Sequence, residues 1–176
     1  MIPTATGPSA ARDNLRRLIT IRYIALAGQV LALLALTGMA PDAPLAVPLS
    51  SIAGLTSALA TLNLLAHWRS YRPRPITEPE FFGHLLFDIA GLGTLLYFSG
   101  GATNPFISYF LVPISIAAAT LPARYVWTVA GLALASYSLL VFFYLPLPLL
   151  APHHSDSEFN GHVIGMWLNF VISAGL

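Results

Sequence analysis

The chain alternates between long apolar runs and short polar connections. Each run approaches the roughly 20 residues that a helix needs to cross about 30 Å of hydrocarbon. Proline-rich connections at residues 41–48 and 73–79 separate the first three runs, and proline ends a helix because it lacks a backbone N–H. The pattern predicts six transmembrane helices in three consecutive hairpins, over residues 21–39, 47–68, 81–98, 106–121, 125–145 and 162 onward.

Composition supports this interpretation. The 176 residues are 56% hydrophobic and only 9% charged, whereas a soluble domain has about 25% charged residues. We therefore predict an all-α, polytopic membrane protein whose first partner is the lipid bilayer. Residues 1–20 are assigned to an N-terminal segment and residues 21–176 to the six-helix domain. The chain has no cysteine, and its net charge of +1 gives no reason to expect a nucleic-acid partner.

The arginines predict the orientation of the helices. All eight basic residues are arginine, and they precede or open helix one or lie in alternate connections, at residues 12, 16, 17, 22, 69, 72, 74 and 124. Basic connections face the cytoplasm by the positive-inside rule. The N-terminus is thus expected inside, and the connection between helices three and four outside. The sixth run stops after about 15 residues, or roughly 22 Å of helix, so we expect a truncated helix and a fragment boundary at Leu176.

The connection between helices three and four reads GGATNPF, residues 100–106. One interpretation is structural: Asn104 caps a helix, Pro105 takes the first helical position, and Gly100 and Gly101 end the preceding helix. The other is a ligand site for an isoprenoid quinone. Glycines permit close approach, Phe106 offers a stacking face, and the Asn104 amide can hydrogen-bond a ring oxygen.

The stretch resembles a known motif. Gly100, Gly101, Asn104, Pro105 and Phe106 match every fixed position of G-G-x-x-N-P-F, the quinone-binding heptapeptide of the RegB/PrrB family of redox-responsive sensor histidine kinases. Its place between helices three and four of six is similar too. The resemblance implies a homodimeric sensor in the bacterial inner membrane. It implies ubiquinone as the sensed ligand, with control of a cytoplasmic kinase core that phosphorylates a response regulator.

No catalytic residue is predicted within the chain. None of the five histidines lies in a recognisable phosphoacceptor motif. The resemblance places the phosphorylated histidine, the redox-active cysteine and the binding of ATP and Mg beyond Leu176. Two alternatives from other classes stay open, a small membrane transporter and a quinone oxidoreductase subunit.

Asp88 is a second polar feature, lying inside the third apolar run with His84 one turn earlier on the same face. A carboxylate at that depth is costly but tolerated, at about 2.5 to 3.5 kcal/mol on insertion scales. A satisfied interhelical hydrogen bond is one interpretation. A signal relay or proton relay through His84 and Asp88 is the other. A metal site formed by His67, His84 and Asp88 has no ligand motif to support it, so none is predicted.

Overall fold

A computed structural model describes residues 8–39, 49–145, 166, 167 and 170. These residues form helices without a strand, which confirms the all-α class. The elements are α1 (Pro8–Met39), α2 (Leu49–Ser70), α3 (Glu78–Phe98), two 3₁₀ helices (Gly101–Thr103 and Pro105–Phe110), α4 (Leu111–Thr120) and α5 (Ala123–Phe142).

Two described helices are long and apolar enough to cross a membrane. They are α3, with 21 residues, and α5, with 20 residues, and only 28% of the most apolar window of each is buried. A helix in the core of a soluble protein would instead be mostly buried. The prediction of six spans goes further than these two helices and stays a prediction. Most of the predicted sixth helix lies outside the described residues. Within that run the structure describes residues 166, 167 and 170, and these are helical.

The described residues divide into two compact units. The first contains residues 8–39 and 49–81, where α1 and α2 run antiparallel. Hydrogen bonds mark their register: Gln29 Nε2 donates to Thr56 Oγ1 at 2.6 Å, and Asn63 Nδ2 donates to the Ile19 carbonyl at 3.4 Å. The buried side chains at this interface are Leu15, Leu18, Ile19, Ile52, Thr56, Asn63 and Ala66.

The turn from α2 into α3 is held by Arg69. Its guanidinium group donates to the carbonyl groups of Arg74 and Pro75, each at 3.2 Å, and pairs with the Glu80 carboxylate at 2.7 and 2.9 Å. Thr77 precedes α3, and its hydroxyl accepts the backbone N–H of Glu80 at 3.3 Å. This is the N-cap contact that a threonine three residues before a glutamate favours.

The second unit contains residues 82–145, 166, 167 and 170. Its interior is aromatic, with Phe110 and Tyr137 packed edge-on against Phe170 at ring separations of 6.4 and 5.0 Å. The apolar run predicted that the fourth helix begins at Phe106. In the structure, α4 begins at Leu111. The reason is that residues 105–110 adopt 3₁₀ geometry, which hydrophobicity alone does not distinguish from an α-helix.

Candidate functional site

The elbow, residues 99–110, joins α3 to α4 and contains the GGATNPF stretch. Its first feature is the backbone of its two glycines, which have φ angles of 103° at Gly100 and 57° at Gly101. These values lie in the left-handed region, which side chains with a Cβ atom disfavour. Among the described residues, these are the positions with positive φ. The turn at the end of α3 thus requires glycine twice.

Gly101 also permits a close approach within the second unit. A Cβ atom added there would collide with the side chain of Tyr144 and lie 3.0 Å from the Leu140 carbonyl oxygen. Beside it, the backbone N–H of Leu145 donates to the Tyr97 carbonyl at 2.9 Å. The elbow is therefore packed against the carboxyl end of α5. Gly100 and Gly101 are both buried, and the missing side chain of Gly101 permits this packing.

Asn104 is the cap that the sequence predicted. It lies just before the second 3₁₀ helix with extended backbone angles (φ −74°, ψ 127°), its side chain accepts the backbone N–H of Phe106 at 2.9 Å, and proline begins the helix. This contact satisfies one of the N–H groups left without a partner at a helix start. The structural interpretation of Asn104 and Pro105 is confirmed.

The same side chain turns its other end inward. Asn104 Nδ2 donates to the Ser99 carbonyl at 2.7 Å and to the Ser99 hydroxyl at 3.0 Å, and the residue is only 5% exposed. An amide has two N–H donors and one oxygen with two lone pairs. Only one acceptor position on Oδ1 is left over by these contacts. The donor that the sequence assigned to a ring oxygen is already used within the elbow.

The exposed face of the elbow is aromatic. Phe106 and Tyr109 are 51% and 50% exposed, and their rings lie 5.4 Å apart at an interplanar angle of 49°. They share a face because residues three apart eclipse one another in a 3₁₀ helix. This pair can accept a flat ring by stacking.

The predicted site residues therefore separate into two groups. Gly100, Gly101 and Asn104 are buried and shape the elbow, while Phe106 is presented on its surface. Sequence reasoning did not assign Ser99 to the site, and it placed Tyr109 only in an interfacial aromatic belt with Phe106. A signal for Tyr109 was available, since it follows Phe106 by three residues.

His84 and Asp88 lie one turn apart on α3, in the second unit, as predicted. Both are half-buried, and each interacts with another residue. Among the described residues, no group of three His, Asp or Glu side chains comes together in a way that could hold a metal ion.

Comparison with known proteins gives a relative for most of the chain. The chain is 34% identical over 159 residues to the sensor histidine kinase RegB of Cereibacter sphaeroides. The match covers 90% of this chain and 34% of that protein. No family model matches the chain. No solved structure matches it either.

A match of this extent supports a region of a sensor kinase. More particularly, it supports a region of the RegB/PrrB family, as the resemblance at residues 100–106 predicted. The chain spans about a third of the length of the curated relative it matches. The activity and partners of a whole kinase are therefore taken up below as proposals.

Proposed function

We propose that this chain is the quinone-sensing transmembrane input domain of a two-component sensor histidine kinase. The six helices span the bacterial inner membrane with the N-terminus in the cytoplasm, and the elbow faces outward. Ubiquinone is the sensed ligand. A cytoplasmic kinase core, which binds ATP and Mg, phosphorylates a response regulator, and the kinase works as a homodimer. The match to a protein named as a sensor histidine kinase supports this proposal.

The observation that carries the ligand proposal is the division of labour within the elbow. Buried glycines and an asparagine with both N–H donors engaged form a tight support, from which Phe106 and Tyr109 project as an exposed ring pair. A quinone ring stacks on these two rings while its isoprenoid tail stays in lipid. Aromatic pairs of this kind contribute about 0.5 to 1.5 kcal/mol beyond the burial of their area.

Sensing requires more than binding. A ligand shifts an equilibrium between two arrangements of a helix bundle only by the difference in its affinity for them. The elbow contacts the carboxyl end of α5 at Gly101 and continues directly into α4. Binding at the elbow can thus bias the positions of both helices. His84 and Asp88, lower on α3, are proposed to relay that change toward the cytoplasm.

The test of the site is substitution of the exposed ring. Phe106→Ala should weaken binding of a short-chain ubiquinone, measured by quenching of protein fluorescence in detergent micelles, by about 3- to 10-fold. Its thermal stability should stay near that of the parent protein, because the ring is half exposed. Phe87→Ala is the matched control, since Phe87 is also an exposed phenyl ring, at 58%, but lies within α3.

Asn104→Ala gives a second, different result in the same assay. It removes three hydrogen bonds from the elbow, so quinone affinity and thermal stability should fall together, with about 1 to 3 kcal/mol lost from stability. Unchanged affinity in both Phe106→Ala and Asn104→Ala would return the elbow to a purely structural role. Quinone-independent substrate flux through vesicles containing the chain would favour a transporter instead.

A further inference from the structure

The first unit carries a cluster that the quinone site does not use. We call it the arginine–aromatic rim: Arg12 and Arg16 of α1, Trp68 of α2, and Tyr71 and Arg72 just after α2. The Arg72 guanidinium carbon lies 4.1 Å from the centre of the Trp68 ring, and that of Arg16 lies 6.0 Å from the centre of the Tyr71 ring. Arg72 thus lies over the Trp68 ring, and Arg16, from a separate segment, lies at the ~6 Å limit of a cation–π contact with Tyr71, three residues after Trp68.

Contact between the segments holds the rim together. Arg12 Nη2 donates to the Arg72 carbonyl at 3.1 Å, which ties the start of α1 to the turn that follows α2. Arg69 is close in sequence, but its charge is paired with Glu80. The charge of Arg69 is compensated in this way, whereas Arg16 and Arg72 sit against rings.

Stacking leaves a guanidinium group ready to bind an anion. A guanidinium on a ring uses its face for the ring, while its N–H donors point outward in the plane. Arg16 and Arg72 are exposed, and no hydrogen bond joins either guanidinium group to another described residue. In-plane N–H donors of arginine match the geometry of phosphate oxygens.

The surface beside the rim indicates which kind of phosphate the two arginines would bind. Leu64 and Trp68 are 62% and 59% exposed, and they lie on one face of α2 because they are four residues apart. Arg72 follows four residues later. Along this line the surface changes from aliphatic to aromatic to cationic, which is the order of acyl chains, interface and anionic headgroups in a cytoplasmic leaflet. A free anion has no apolar part that could contact the exposed Leu64, whereas a phospholipid has acyl chains.

We propose that the arginine–aromatic rim binds the phosphate of an anionic phospholipid of the phosphatidylglycerol type. The phosphate oxygens accept in-plane N–H groups of Arg16 and Arg72, and an acyl chain follows Trp68 and Leu64 along α2. The inference rests on the proposed membrane location of the chain. It concerns a lipid of the cytoplasmic leaflet, the side on which the arginine-containing connections are proposed to lie.

The test uses the fluorescence of Trp68 in lipid vesicles. The chain has three tryptophans, so Trp127→Phe and Trp167→Phe leave Trp68 as the single emitter. Brominated lipids quench tryptophan on contact. Brominated phosphatidylglycerol should reach half-maximal quenching of Trp68 at about a tenfold lower mole fraction than brominated phosphatidylcholine.

The matched variants compare two kinds of stacked arginine. Arg16→Gln with Arg72→Gln should abolish the preference for phosphatidylglycerol. Arg124→Gln should keep it, since Arg124 belongs to the second unit, where its guanidinium carbon lies 4.7 Å from the centre of the Tyr125 ring, and is not part of the rim. Circular dichroism checks that each variant stays helical. With the arginines intact, high salt should weaken the preference, because it screens exposed charges.

Several outcomes would overturn the inference. These are equal quenching by both lipids in the parent protein, loss of the preference in Arg124→Gln to the same extent, or release of the lipid by inorganic phosphate. The last result would identify the rim as a site for a free anion. Failure of the chain to enter vesicles at all would instead contradict the proposed membrane location. Insertion without lipid preference would leave the quinone proposal standing.

Discussion

At the scale of the residue, the elbow shows how one short motif combines support and contact. Gly100 and Gly101 supply left-handed backbone, Asn104 supplies hydrogen bonds to both of its flanks, and Phe106 supplies the exposed ring. A substitution at any of these positions can reduce ligand binding. Only stability measurements separate loss of the support from loss of the contact.

Gly101→Ala should damage the support. The left-handed backbone costs a residue with a Cβ atom about 1 to 2 kcal/mol, and the collision with Tyr144 adds an overpacking cost of about 1 to 3 kcal/mol. Thermal unfolding in detergent should therefore shift to a clearly lower temperature. Gly131→Ala in α5 is the control, because a Cβ atom there meets no described atom within 4 Å. Equal melting temperatures for Gly101→Ala and the parent would contradict this account.

Asp88→Asn should separate signalling from binding. The amide keeps the shape of the side chain and its capacity for hydrogen bonds but removes its ability to ionise. Asp88 lies twelve residues before Gly100, roughly 18 Å along a helix, so quinone affinity should be unchanged. In the full-length kinase, autophosphorylation should respond less to quinone. A drop in affinity as large as that of Asn104→Ala would refute the separation, and the exposed substitution Asp13→Asn serves as the control.

At the scale of the element, Arg69 links the end of α2 to α3. Glu80→Gln removes an ion pair whose side chains are about a quarter exposed, so it should cost about 1 kcal/mol or less. Arg69→Gln should cost more, because bonds to two carbonyl groups are lost as well. Thermal unfolding should rank Arg69→Gln below Glu80→Gln.

Arg74→Gln is the control for this ranking. The Arg74 side chain is exposed, and its recorded bond in this turn is through its backbone carbonyl. Its melting temperature should match that of the parent. Equal melting temperatures for Arg69→Gln and Glu80→Gln would show that the ion pair, and not the carbonyl contacts, holds the turn.

The elements also show how far sequence reasoning reaches. Apolar runs located α2, α3 and α5 to within a few residues. The reason is that the length of an apolar run indicates both the apolar surroundings of a helix and its extent. They did not locate the start of α1, which begins at Pro8 rather than near Ile21. Helix continues through an arginine-containing segment that hydropathy excludes. Arginine is a good helix former, so the boundary of a span and the boundary of a helix differ.

The candidate site was predictable in part for a similar reason. Asn before Pro is a local signal for a helix start, and Asn104 caps a helix as this signal predicts. The inward direction of its amide depends on where the Ser99 carbonyl lies. Two left-handed glycines set that position, and only the folded backbone reveals it. Residue types alone therefore left the same amide available to a ligand.

At the scale of the whole molecule, the proposed topology can be mapped directly because the chain contains no cysteine. Single cysteines placed by Asp13→Cys and Ala123→Cys should react with a membrane-impermeant maleimide only from the cytoplasmic side. Ser108→Cys should react only from the outside. Asp13 is exposed in the second turn of α1, Ala123 is exposed at the start of α5, and Ser108 is exposed on the elbow. Labelling of all three from one side would contradict the six-span arrangement.

The segment Pro105–Phe110 also stores length. Six residues wound as a 3₁₀ helix extend about 12 Å, whereas the same six wound as an α-helix extend about 9 Å. Rewinding this segment would pull α4 roughly 3 Å along its own axis, with Pro105 at the fixed end. Such a translation of α4 requires no hinge and no bending of the helix. It would begin at the ring pair, where the ligand is proposed to bind.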